Sequence, residues 1–129
     1  MRVPSVERSD GTDNACQRTI LALVLTAVMV PAIAKDKDAQ CLIRQNGVTT
    51  YSDACLFHLE KGGSFSIRRP DAKPILPNIT DISVTIVAAG FAEVRGLTTD
   101  GINSRWGSAV RSKVDSACWT GSDFEICAY

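Results

Sequence analysis

From residue 41 onwards, apolar and polar side chains alternate in short runs set off by turn-forming residues, the pattern of β-strands with one buried face. The run CLIRQNGVTTYSDAC centres two β-prone segments on Asn46-Gly47. This pair suits a tight hairpin because a type I′ turn needs positive φ at both central residues. A two-residue loop there pairs Gln45 with Val48, Ile43 with Thr50 and Cys41 with Ser52, and sets Cys41, Ile43 and Val48 on one predicted core face. SDACLFHLEKGG reads either as a short helix capped by Ser52 or Asp53 and ended at Gly62, or as a buried strand over CLFHL. An irregular or single-turn segment is the expectation. GSFSIRR then alternates Phe65 and Ile67 against Ser64, Ser66 and Arg68, a half-buried strand, and Pro70, Pro74 and Pro77 make PDAKPILPN an extended connector.

ITDISVTIVAAGFAEVRGL is a strand pair, with Ile82, Val84 and Ile86 alternating against Ser83 and Thr85 and a turn at Ala89-Gly90. In INSRWGSAVRSKVDS the period changes: Trp106, Val110 and Val114 recur every four residues with Ala109 beside them. That spacing predicts one amphipathic helix over about residues 103–115, capped by Asn103 or Ser104, with Arg105, Arg111 and Lys113 facing water. Gly107 inside it costs about 1 kcal/mol against Ala, which points to close packing on the sheet. In CWTGSDFEIC, a two-residue loop at Ser122-Asp123 pairs Thr120 with Glu125, Trp119 with Ile126 and Cys118 with Cys127. Trp119, Phe124 and Ile126 then share one apolar face while the two sulfurs meet on the other. The predicted fold is α+β: an antiparallel sheet of about five strands with one packed helix, secured by two disulfides.

Ahead of this domain, TILALVLTAVMVPAIA follows Arg18 and closes on the small-x-small sequence Ala32-Ile33-Ala34. At 16 residues the run is shorter than the ~20 that span a bilayer. It reads as a signal peptide cut after Ala34, behind an atypically long leader in which Arg2, Arg8 and Arg18 are balanced by Glu7, Asp10 and Asp13. Contact with a membrane is expected only through an uncleaved leader. The expected organisation is leader 1–34, flexible polar arm 35–40 and a single small stapled domain 41–129.

Trimming changes the cysteine count from odd to even. Cys16 leaves with the leader, and Cys41, Cys55, Cys118 and Cys127 remain, the count expected of two disulfides in a small exported domain. Of the three connectivities, the local one joins Cys41 to Cys55 and Cys118 to Cys127. It is favoured because Cys41 lies on the core face of its hairpin while the terminal pair lies opposite an apolar face. Chain entropy alone does not choose: the local loops are worth about 3 and about 2.7 kcal/mol, and a crossed bridge from Cys41 to Cys127 about 4.6. Composition, 45% hydrophobic and 22% charged with a formal net charge of zero, is globular and argues against nucleic acid as a partner.

Candidate chemistry is sparse. There is no C-x-x-C pair and one histidine, His58, so no metal and no cofactor is expected. A Ser-His-Asp catalyst would have to use His58, but no G-x-S-x-G elbow accompanies it, and a packed or surface histidine is the preferred reading. Glu60, Glu93 and Glu125 are too far apart in sequence to be paired as acid and base. Arg95, Arg105, Arg111 and Lys113 with Trp106 could form a contact surface for an anion, a glycan or a protein, through guanidinium bonds or stacking. A solvated helix face is the preferred reading, since such charges are the usual outer side of an amphipathic helix.

Two regions, CLIRQNG...YSDAC...GGSFSI and GFAEVRGLTTDGINSRWGSAVRSKVDSACWTGSDFEICAY, carry a cysteine hairpin, a Gly-Ser-Phe-Ser-Ile run and a terminal Cys-Trp to Cys. The chain in this respect resembles a group of small exported proteobacterial proteins of uncharacterised function. The resemblance implies a periplasmic or secreted location and brings no catalytic residue. The expected function is that of a small exported, non-catalytic binding or inhibitory module of the bacterial envelope, its partner an unidentified protein or envelope glycan. A small secreted hydrolase or toxin using His58, and an envelope structural protein, are the alternatives.

Overall fold

A computed structural model describes residues 36–129, and the Asn46-Gly47 turn is where its topology starts. With φ of 53° and 78°, these two residues join β1 (Lys37–Gln45) to β2 (Val48–Leu59). The chain then runs through β3 (Phe65–Arg68), β4 (Ile79–Ala88), β5 (Phe91–Thr98), β6 (Asn103–Arg111), β7 (Cys118–Thr120) and β8 (Phe124–Ala128). Each strand pairs antiparallel with the next, and β8 pairs with β1 from Cys41↔Ala128 to Gln45↔Phe124. The result is a closed eight-stranded up-and-down barrel. Closure gives every strand two neighbours, which removes the exposed sheet edges an open sheet leaves. The period-two pattern becomes an inside and an outside: Ile43, Ile67, Ile82, Val84, Val94 and Ile126 are fully buried in one core.

The α+β expectation is therefore corrected: eight strands stand where about five and a helix were predicted, and residues 103–111 are β6. The four-residue spacing of Trp106, Val110 and Val114 fits a helix face, but its members are also even-numbered positions along a strand. The intervening small residues decide, because Gly107 and Ala109 pair with Val94 and Ala92 of β5, whose second edge would otherwise be unpaired. Val110 and Val114 are 46% and 99% exposed, so neither belongs to a packed helical stripe. Gly107, with φ of 134°, lies where the register shifts between Val94 and Arg95, and Trp106 is the extra residue of that bulge, packed against the core.

Three smaller expectations change with it. The segment left as irregular, CLFHL, extends β2 to 12 residues, and its single turn, Lys61–Gly63, comes only afterwards. The arm 35–40 is not loose beyond Asp36: Lys37 to Gln40 lengthen β1 against Phe57 to Ala54 of β2. A bulge between Ile43 and Arg44 sets Ile43 opposite Tyr51 and Cys41 opposite Asp53, one residue on from the predicted register. Val48 lies beside the turn, 63% exposed, and not in the core. The terminal hairpin has the pairing its sequence predicts, Cys118↔Cys127, Trp119↔Ile126 and Thr120↔Glu125.

Two disulfides are present among the described residues. Cys41–Cys55 spans β1 and β2 diagonally, with Cα atoms 5.8 Å apart and both residues in the barrel core. Cys118–Cys127 joins β7 to β8 across a direct pair, Cα atoms 4.0 Å apart, on the face opposite Trp119 and Ile126. The Tyr129 hydroxyl lies 3.6 Å from Cys118 Sγ. Such cross-links persist in oxidising compartments. No helix among the described residues is long and apolar enough to cross a membrane. The predicted signal peptide, its cleavage point and Cys16 lie outside the described residues.

Candidate functional site

An up-and-down barrel has two ends, and here they are built differently. The base carries the Asn46-Gly47 and Ser122-Asp123 turns and the proline-bounded connector between β3 and β4. It is plugged. Ile75 and Leu76 fold from the connector into the core, and the Trp106 ring meets Phe124 edge to face with centroids 5.7 Å apart. Two glycines make room for those rings: a Cβ on Gly96 would lie 2.7 Å from Trp106 Nε1, and one on Gly121 would lie 2.3 Å from the Phe124 ring.

The opposite end, the mouth, carries the turn Lys61–Gly63, the Ala89-Gly90 turn, the loop 112–117 and the C-terminal residue. Among the described residues no bulky loop side chain folds inward here, and a cup of about 480 Å³ remains. Its aromatic lining is Phe57, Phe65 and Trp119, with the rings of Phe57 and Phe65 stacked at 4.8 Å. Leu59, Ile86 and Ala128 complete the apolar wall. Ser64 fixes one side of it: its buried hydroxyl accepts a hydrogen bond from Ile86 N at 2.9 Å, tying the β2–β3 turn to β4. The volume falls in the ~300–1,000 Å³ range of small-molecule sites, and barrel mouths are among their usual places.

Arg111, at the end of β6, is the one charged residue among the described residues lining the cup. Its Nε donates to Ser116 O at 2.8 Å, and its guanidinium carbon lies 5.3 Å from the centroid of the Trp119 ring. The Trp119 face and the loop carbonyl thus hold the guanidinium in place, leaving its terminal N–H groups without an acceptor among the described residues.

The predicted contact surface is only partly assembled. Arg95 and Arg105, neighbours across β5 and β6, both engage Glu93. Trp106 is turned into the base, Lys113 stands exposed on the loop 112–117, and of the five only Arg111 lines the mouth. Sequence reasoning did not single out Phe57, Phe65 or Trp119 as site residues. Their one signal is apolar character at the mouth-proximal ends of strands, which is visible only once the strand directions are known.

His58 lies outside the cup. Its Nδ1 is 2.8 Å from Asp36 Oδ1, and Arg68 binds the other carboxylate oxygen. Ser66 faces His58 across the β2–β3 pair, but no hydrogen bond joins them. The His58 hydrogen bond, followed by Arg68, holds the Asp36 carboxyl below its ordinary range. A depressed carboxylate stabilises the fold above its unfolded pKa, and that contribution is lost as pH falls through the folded value. Acidification below about pH 4 is therefore expected to release the start of β1. Amide-exchange protection at Lys37 and Ala39, whose N–H groups face β2, should fall between about pH 4 and 2 in the native protein, while Asp36→Asn should show low protection there already at pH 6 with no acid step. A native-like step in Asp36→Asn would show that this carboxylate does not anchor the strand.

At the same end, Tyr129 donates to Asp115, lowering that carboxyl and raising its own phenol. Cys118, Cys127 and Glu125 converge, but the two sulfurs are bonded to each other and Glu125 is held by Arg44 and Thr120. Comparison with protein-family models, with curated proteins and with solved structures gives no match for the chain.

Proposed function

We propose that the protein is a small exported binding module of the bacterial envelope, periplasmic or secreted, which seats the apolar part of a ligand in the barrel mouth without chemical conversion. The observation carrying this reading is the asymmetry of the two ends. The base is plugged by Ile75, Leu76, Trp106 and Phe124, while the mouth keeps a cup with aromatic walls. A concave site with apolar walls and a few polar groups at a barrel mouth is a usual setting for a small-molecule ligand. The two disulfides support an oxidising location.

The neutral apolar dye N-phenyl-1-naphthylamine tests the reading directly. It is expected to bind the natively isolated protein saturably at one site, with rising dye fluorescence. Leu59→Asp, which sets a carboxylate on the cup wall at a half-exposed position, should weaken that binding at least tenfold with unchanged circular dichroism. Absence of saturable binding, or indifference to Leu59→Asp, would refute the cup as a ligand site.

A further inference from the structure

Resting on that reading of the mouth, we infer that the ligand is a single-chain anionic amphiphile taken from solution, its carboxylate on Arg111 and its hydrocarbon chain against Phe57, Phe65 and Trp119. Charge complementarity carries the argument. Every other described residue lining the cup is uncharged, so among the described residues the one full charge there is the Arg111 guanidinium. Among the described residues no carboxylate lies within salt-bridge distance of it. The other five arginines of the barrel, Arg44, Arg68, Arg69, Arg95 and Arg105, each have a carboxylate partner. Arg111 is also placed before any ligand arrives, by Ser116 O and the Trp119 face, so little side-chain entropy remains to be lost on binding. A guanidinium offers parallel N–H donors that match a carboxylate in bidentate fashion.

The core limits the length of the chain that fits. Below the aromatic walls the interior is filled by Ile43, Ile67, Val84, Val94 and Ile126, so the ligand occupies only the upper part of the barrel. That favours a medium-length chain over a long one. Because the cup is recessed among strand ends and turns, the ligand enters it as a single molecule and not as part of a bilayer.

Decanoate and 1-decanol, which differ in the head group, make the test. Displacement of N-phenyl-1-naphthylamine from the natively isolated protein, read as the ratio of the two affinities, is expected to favour decanoate at least tenfold at low salt. Arg111→Gln should bring the ratio to about one, and Arg111→Lys should leave it between these values. The ratio is the informative quantity because it cancels any change a substitution makes to the apolar wall. Equal affinities in the native protein, or a ratio that survives Arg111→Gln, would overturn the anionic assignment while the cup itself stands. Failure of the dye and of both decyl compounds to bind would remove the mouth as a ligand site and the assignment with it. A mouth blocked in a concentration-dependent dimer, seen by sedimentation, would assign it to a second copy of the chain and overturn the proposal equally.

Discussion

Replacing Cys41 and Cys55 together by alanine is expected to lower the stability of the barrel by about 3 kcal/mol or more. Two effects add. Chain entropy gives about 3 kcal/mol for a closed loop of this size, the two residues being 14 apart in sequence. In addition, both side chains are almost completely buried, at 2% and 1% exposure, so removing the sulfurs leaves a cavity between β1 and β2. The outer bridge, Cys118–Cys127, closes a shorter loop worth about 2.7 kcal/mol in chain entropy, and its side chains are buried to the same degree, at 4% and 0% exposure, so its removal is expected to cost a similar amount. For a small domain with ~5 to 15 kcal/mol of total stability, either loss is a large fraction. Denaturant unfolding of both double variants checks this. The midpoint should fall in each, and by similar amounts. An unchanged midpoint in Cys41→Ala/Cys55→Ala would show that the inner bridge does not support the fold.

Ile67→Ala is expected to cost about 2 to 5 kcal/mol. Ile67 is fully buried on β3, where its cross-strand neighbours are Phe57 on β2 and Ile82 on β4. β3 has only four residues, so it has few other contacts with which to hold its place. Loosening it opens the barrel between β2 and β4 and exposes two sheet edges that closure had satisfied. Ile102→Ala provides the control, since that side chain is 62% exposed beside a turn and its loss should fall within about 0.5 kcal/mol. Thermal unfolding of the two variants side by side measures the contrast. Equal effects at the two positions would contradict the placement of Ile67 inside a closed barrel.

Both expectations rest on features with different visibility in the sequence. Local turn chemistry was the most legible. Asn46-Gly47 joins two strands, as does Ala89-Gly90, and the Ser122-Asp123 loop sets Cys118 opposite Cys127, because each depends on a few contiguous residues whose conformational preferences are strong. The alternation of Ile82, Val84 and Ile86 likewise specified a strand with one buried face. The register of β1 against β2 was legible only up to the bulge at Ile43, since an extra residue in one strand leaves no local signature.

Residues 103–111 mark where local reading fails. Spacings of four serve a helix face and an even-numbered strand face alike, and only the need of β5 for a second partner makes this segment a strand. The cup is a similar case: Phe57, Phe65, Arg111 and Trp119 come from four strands, and nothing local in the sequence places them at one end.

By itself, the sequence determined the cysteine set, the turns and the two-residue alternation of most strands, since these follow from single residues and their immediate neighbours. Tertiary structure alone decided that eight strands close on one another, that Trp106 and Phe124 plug one end while the other keeps a cavity, and that Arg111 is the lone charge among the described residues that line it. The physical reason is that closure, end-plugging and charge isolation are long-range outcomes. They depend on which strand edges and side chains meet after residues distant in sequence have satisfied each other's backbone hydrogen bonds and filled the shared interior.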